Sequence, residues 1–220
     1  MPRIGFRAGP DHRSGPFLMT VVLATQNKDK LRELQGLMRG TKVIVRLLSE
    51  FPKSPSVRED GRTFEENAEK KARIYSKRTR SLVLADDSGL EVKALDGRPG
   101  VYSARFAGPK CNYADNNRKL IQMMRSVAWP KRKARFVSVI SVYDNGEKIA
   151  TVRGECEGRI GFLEKGANGF GYDPVFMPKG SSKTYAEMTA AEKGRLSHRG
   201  KALRSAKKVL LRYLRSQPLS

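Results

Sequence analysis

The stretch "SLVLADDSGLEV", residues 81–92, decides how the chain folds. Leu82, Val83, Leu84 and Ala85 make a short, unbroken apolar run bounded by polar residues. That pattern suits a strand covered on both faces. Asp86 and Asp87 follow at once, and Ser88 and Gly89 are expected to end the strand. Carboxylates are seldom buried unless they are paired or bound to a metal. The strand therefore ends either in water or against something positive.

Working outward, the pattern alternates. Upstream, "TVVLAT" (20–25) reads as a central strand. "NKDKLRELQGLMRG" (27–40) places Leu31, Leu34, Leu37 and Met38 at helical spacing, with Gly40 as a stop. "TKVIVRLL" (41–48) is a second strand, followed by the Pro/Ser-rich loop 49–61. A helix begins at "TFEENAEKKARIYSKR" (63–78), with Thr63 and Glu66 in capping-box spacing. The sequence up to Ala85 is thus βαβαβ, the mark of an α/β sheet. Downstream come a Gly/Pro loop (94–108) and a helix over 112–127. Two strands follow over 134–160, joined at Asp144-Asn145-Gly146, a strong hairpin signal. After the Gly-rich segment 161–178 the chain turns helical. Thr189 and Glu192 form another capping box, and Ser197 starts a last helix with Ala202, Leu203, Ala206, Val209, Leu210 and Leu214 on one apolar face.

Composition narrows the classes. The 220 residues fit one large domain or two joined lobes, and 39% hydrophobic content allows a real core. No apolar stretch approaches the roughly 20 residues of a membrane span. Residues 1–18 lack an apolar signal-peptide core and read as a disordered basic extension, with Met19 as an alternative start. Cys111 and Cys156 have no metal-type spacing and read as free thiols in a reducing cytosol. The net charge is +22. It arises largely from an acid-free run over 118–135 and from the last 30 residues. That excess invites polyanions, although it is also compatible with a merely solvated basic surface.

Several stretches carry chemistry. In open α/β sheets ligands bind beyond the carboxyl ends of strands, where Asp86, Asp87 and the segment Thr25, Gln26, Asn27, Lys28, Asp29, Lys30 are all expected. That segment opens a helix, whose free N–H groups and partial positive charge suit phosphate; simple capping by Thr25 or Asn27 is the plainer reading. It is not a Walker loop. Glu59, in the loop before the 63–78 helix, and a strand-end carboxylate would suit Mg²⁺, which takes few protein oxygens. In "GFGYDP" (169–174), Phe170 or Tyr172 can stack on a base and Asp173 can read its edge. Near Lys193, His198 stands beside Arg199. Neighbouring cations lower its proton affinity, which favours a phosphate or base contact over a catalytic base.

Five stretches in register resemble the inosine triphosphate pyrophosphatase family: "ATQNKDKLREL", "TFEENAEKKA", "LADDSGLEVKALDGRPGVYSARFAG", "GFGYDPVF" and "AEMTAAEKGRLSHRGKAL". They span residues 19 to about 210. The resemblance implies an elongated mixed β-sheet with flanking helices and two lobes around a central cleft, and a cytoplasmic homodimer. It implies Mg²⁺-dependent hydrolysis of ITP, XTP and dITP to the monophosphate and pyrophosphate. By position, Thr25–Lys30 would hold the triphosphate and Lys71 would reach phosphate. Glu59 and Asp87 would serve the metal, and Asp87 would also activate water, with Ser88 touching substrate beside it. Phe170, Gly171, Tyr172 and Asp173 would form the base pocket, closed by Lys193, His198 and Arg199. Gln26 stands where the family usually has glycine. By strand alternation, Asp86 would point away from Asp87 and play a structural part. Two rivals remain: a Maf-like pyrophosphatase for modified pyrimidine nucleotides, whose Ser/Arg-rich N-terminal motif is absent, and a basic nucleic-acid-binding protein.

Overall fold

The computed structural model describes residues 19–25, 28–51 and 56–217, with Lys28 and Asp29 described in backbone only. The extension 1–18, Gln26 and Asn27 lie outside the described residues. Six strands, β1 (Met19–Leu23), β2 (Val43–Leu47), β3 (Leu82–Val92), β4 (Lys133–Asp144), β5 (Glu147–Ile160) and β6 (Phe176–Pro178), form one sheet in the order β2-β1-β3-β4-β5-β6. β1 runs parallel to β2 and β3, and every later pairing is antiparallel. The sheet is therefore mixed. Its helices are α1 (Lys28–Met38), α2 (Phe64–Thr79), α3 (Tyr113–Met124), α4 (Ala190–Leu196) and α5 (His198–Ser216).

One expectation is corrected at the decisive stretch. The strand does not end after Ala85; it continues through both aspartates to Val92. β1 pairs with β3 only as far as Leu84, but β4 supplies a ladder along its whole length, with Asp86 opposite Ile140 and Asp87 opposite Val139. A partner some fifty residues downstream holds the polar residues extended, which no local apolar pattern can reveal. Gly89 does not break the strand either. A Cβ there would lie 2.5 Å from the Gly100 carbonyl oxygen and from Ser103 Oγ. Its missing side chain admits the 3₁₀ turn Gly100–Arg105, as glycine inside a strand commonly does. Ser103 Oγ accepts the Leu90 N–H at 2.9 Å. The aspartates thus sit where the parallel neighbour stops and one edge of β3 opens.

The two faces of β3 pack differently. Leu82 and Leu84 join Leu34 and Met38 of α1 and Ala202, Ala206 and Leu210 of α5. Val83 and Ala85 join Ala72 and Tyr75 of α2. Continued alternation sends Asp86 and Ser88 toward α1 and α5, and Asp87 toward α2. Beyond Ser88, Leu90 and Val92 pack with Leu120, Met124, Phe136, Phe176 and Tyr185 in a second core.

Local signals explain the element ends. Asn145 and Gly146 have φ of 46° and 92°, both positive as a type I′ hairpin turn requires. Thr63 accepts the Glu66 N–H, while the Glu66 carboxylate accepts from Arg62 N–H. Thr189 and Glu192 complete their capping box, and Ser197 caps α5 by accepting from Gly200 N–H. The basic run 118–135 is partly internal. Arg132 is fully buried and donates to the carbonyls of Met124, Val127, Ile160 and Gly161, tying the end of α3 to the end of β5.

α5 lies directly on β5 at Gly154, where a Cβ would collide with the His198 carbonyl oxygen and the Ala202 backbone nitrogen. This close approach fixes where His198 and Arg199 project. Gly154→Ala should cost about 1–3 kcal/mol through overpacking, read as a lowered urea midpoint with unchanged slope.

Candidate functional site

On the α1/α5 face, Asp86 is buried, and Lys30 Nζ sits 2.9 and 2.8 Å from its two carboxylate oxygens. Arg199, also buried, places Nε 3.9 Å from Asp86 and donates from Nη2 to Ser88 Oγ at 3.0 Å. Burial alone would push the Asp86 carboxyl up, but Lys30, Arg199 and Lys71 together hold it down at about 2. Burial in turn lowers the proton affinity of Lys30, against the attraction of Asp86.

Beside this group lies a pocket of about 190 Å³ bounded by Lys30, Ser88, Phe170, Lys193, His198 and Arg199 among others. It is smaller than the roughly 300–1,000 Å³ of a complete small-molecule site, so it suits one end of a ligand. Phe170 is half-buried at its edge, with Lys193 Nζ 4.9 Å and Arg199 Cζ 5.1 Å from the ring centre. Positive φ at Gly169 and Gly171 turns the loop there. Asp173 is buried and occupied: it accepts from the Phe170 N–H at 2.8 Å and pairs with Lys193 Nζ at 2.5 Å. It therefore positions Phe170 and Lys193 rather than presenting a free edge. Tyr172 also differs from its expected stacking role. Its ring is packed in the second core and its hydroxyl donates to the Ser103 carbonyl at 2.9 Å, so it walls the pocket. His198 is buried flat against Phe136, ring centres 4.5 Å apart, and its Nδ1 has no hydrogen-bond partner among the described residues. Burial, then Arg199 and Lys193, keep its proton affinity well below the usual histidine value.

On the α2 face, Asp87 Oδ2 accepts from Asn67 Nδ2 at 2.9 Å and Oδ1 from the Ser88 N–H at 2.9 Å. Lys71 Nζ bridges the faces, donating to the Asp86 carbonyl at 2.7 Å and pairing with Glu59 at 3.0 Å. The neighbouring Asp60 is drawn off by Lys70 at 2.5 Å, which separates it from Glu59. Burial raises the Asp87 carboxyl, helped by Glu59 and Asp86 and opposed by Lys71 and Asn67. Among the described residues no three His, Cys, Asp or Glu side chains gather as a metal cage. Two carboxylates, Glu59 and Asp87, on the α2 side of β3 do fit Mg²⁺, which commonly takes one or two carboxylates and completes its shell with water and phosphate oxygens.

The structure thus gathers Lys30, Ser88, Phe170, Gly171, Lys193, His198 and Arg199 around one pocket, with Lys30 and Arg199 also meeting Asp86, and sets Asp87 on the other face of the strand, where Lys71 joins the Asp86 carbonyl to Glu59. Thr25 stands half-buried just beyond β1. Sequence reasoning missed Asn67 and Tyr113. Asn67 stands four residues before Lys71, hence on the same helix face, a signal that was available. Tyr113 opens α3 and lies 6.3 Å, ring to ring, from Phe170; nothing local marks it. A larger groove of about 650 Å³, lined by Trp129, Lys133, Arg159 and Lys179 among others, contains none of the expected site residues.

A folded mixed sheet with a cation-bound carboxylate, an aromatic pocket and a second carboxylate on adjacent positions defines a class that comparison with known proteins identifies. The sequence profile of the Ham1 family matches residues 21–209, and the chain belongs to that family. It is 44% identical over 196 residues to a dITP/XTP pyrophosphatase of Exiguobacterium sibiricum, covering 89% of this chain and 99% of that one. It is 47% identical over 194 residues to a dITP/XTP pyrophosphatase of Desulforamulus reducens, covering 88% and 96%. Its fold matches the solved structure of a HAM1 protein from Coxiella burnetii with a TM-score of 0.82 at 38% identity, covering 89% and 100% of the two chains.

The neutral, buried His198 has a consequence for stability. Its folded proton affinity lies below the ordinary value near 6.5. The unfolded chain therefore takes up the proton first, and stability is lost as pH falls below about 6.5. Between pH 6.5 and 5.5 this group should remove about 1 kcal/mol. Urea unfolding at the two values should register the loss, and His198→Gln should remove that share of it.

Proposed function

We propose that this chain hydrolyses ITP, dITP and XTP to the monophosphate and pyrophosphate, clearing deaminated purines from the nucleotide pool. The observation that carries this reading is the pair of adjacent aspartates on opposite faces of β3, one held ionised by cations and one with raised proton affinity. The names of the chain's relatives support it independently.

In this reading the purine enters the pocket beside Phe170, and the triphosphate runs past Lys30 toward the start of α1 and Lys71. Cations near the phosphates stabilise the charge that develops as pyrophosphate leaves. Glu59 and Asp87 would hold Mg²⁺, which would supply charge neutralisation on the phosphate oxygens. Asp87 accepts the proton of the attacking water at its carboxylate, where burial favours the protonated form and a bound cation would oppose it. Asn67 and the Ser88 N–H orient that carboxylate. Neutral His198 offers one ring N–H, and Lys193 and Arg199 offer charged donors, to the 6-oxo group of hypoxanthine or xanthine. Adenine presents a 6-amino donor instead and would leave a buried donor unpaired, a strong ground for rejection. A homodimer fits the exposed apolar group of Trp129, Phe162 and Leu163. Free Cys111 and Cys156 fit a reducing cytoplasm.

The test is pyrophosphate release from ITP, dITP, XTP, GTP and ATP with Mg²⁺, wild type beside Asp87→Asn. Release from ITP, dITP and XTP, with ATP spared and the variant slowed about 10²–10⁴-fold, is expected. No release from any of the five by folded, Mg²⁺-supplied protein would overturn the reading.

A further inference from the structure

The reaction leaves the net charge of +22 unexplained. The two basic stretches of the sequence are arranged differently. In the run 118–135, Arg132 is buried on backbone carbonyls, Arg118 pairs with Asp115, and Arg135 pairs with Glu91 and Glu155. Its other exposed cations, Lys119, Arg125, Lys131 and Lys133, are spread over α3, the turn after it and the start of β4 and form no single line. α5 is another matter. It carries seven Lys and Arg and no Asp or Glu. Lys201, Arg204, Lys208, Arg212 and Arg215 are all exposed. At about 100° per residue these five fall within an arc of about 80°, a straight ridge about 21 Å long at 1.5 Å per residue. None of them pairs with a carboxylate among the described residues. Lys201 donates to the Glu155 carbonyl, and Arg204 to the carbonyls of Gly194 and Arg195, so their charge is left uncancelled. The carboxylates that do touch α5 meet Arg199 and Tyr213, away from the ridge.

We propose that the exposed ridge of α5 is a docking surface for the phosphate backbone of a nucleic-acid duplex, bound without regard to sequence. Successive cations stand roughly 4.5–6 Å apart along the axis. A duplex offers a dense array of charges, one per about 1.7 Å of its axis, from which such a ridge can draw several partners. An anionic membrane is the poorer fit. Surface helices that hold to lipid need an exposed apolar face, and the apolar face of α5 is spent on the sheet through Ala202, Leu203, Ala206 and Leu210. The ridge also lies apart from the pocket: of the residues on α5, only His198 and Arg199 border it. Nucleic-acid binding and nucleotide hydrolysis would therefore proceed side by side.

The probe is a fluorescein-labelled 20-base-pair DNA duplex, followed by anisotropy from 50 to 200 mM salt with saturating IMP present to occupy the pocket. Wild type should bind with log K falling against log salt at a slope of about −3 to −4. The triple variant Lys208→Glu, Arg212→Glu, Arg215→Glu should bind at least tenfold more weakly with a slope reduced by about 2–3, while its pyrophosphate release from ITP is unchanged. The triple change to Gln provides a version without charge reversal and should weaken binding in the same direction. Absence of binding by wild type at 50 mM salt, binding unaltered in both variants, abolition by IMP, or capture by phosphatidylserine vesicles in place of the duplex would each overturn the proposal. These outcomes are independent of hydrolysis, so failure of one reading does not decide the other.

Discussion

The contact between buried Asp86 and the two cations Lys30 and Arg199 is the constraint on which the site depends. It joins three elements that are far apart in sequence: α1, β3 and α5. A carboxylate in that position is tolerable only because its charge is matched, since removing either side of a buried pair leaves an uncompensated ion. Among the described residues Lys30, Arg199 and Lys71 all act on the Asp86 carboxylate, and Glu33 lies 3.9 Å from Arg199 with its side chain 41% exposed. The contact that fixes the helices against the sheet therefore also sets cationic side chains beside Ser88 and the aromatic pocket. In the proposed reading those cations meet phosphate, so one contact serves both structure and binding.

Much of this was legible beforehand because its signals are local. Apolar runs of fixed period, Thr63, Thr189 and Ser197 as caps, and Asn145-Gly146 as a turn each depend on neighbours within a few residues. What was not legible depended on distant partners. The extension of β3 through Asp86 to Val92 rests on the ladder from β4, whose pairing begins some fifty residues further on. The internal use of Tyr172 and Asp173 rests on Ser103 and Lys193. A Gly-flanked aromatic and acid in a loop looks the same whether it faces a ligand or its own scaffold; only the packing of the second core distinguishes Phe170, left at the rim, from Tyr172, drawn inside. Tyr113 came close to Phe170 through the placement of α3, which no pattern in its own helix encodes.

Adjacent identical residues on β3 end with opposite tendencies. Asp86 and Asp87 begin with the same ordinary proton affinity and are both largely withdrawn from water. Asp86 meets Lys30 and Arg199 on its face and is held ionised; Asp87 meets Asn67, the Ser88 N–H and another carboxylate, and burial prevails. The period of two in a strand is what separates them: one residue of advance turns the side chain through the sheet into a different environment. Paired acids whose surroundings drive their proton affinities apart are a general means of dividing binding from proton transfer. Here the two environments require no insertion or special loop, only a strand that continues past its parallel neighbour to Val92 and a glycine, Gly89, that lets the chain close over the far end. Lys71 threads between the faces by holding the Asp86 carbonyl and the Glu59 carboxylate at once, so the two environments stay distinct in charge while sharing one rigid support.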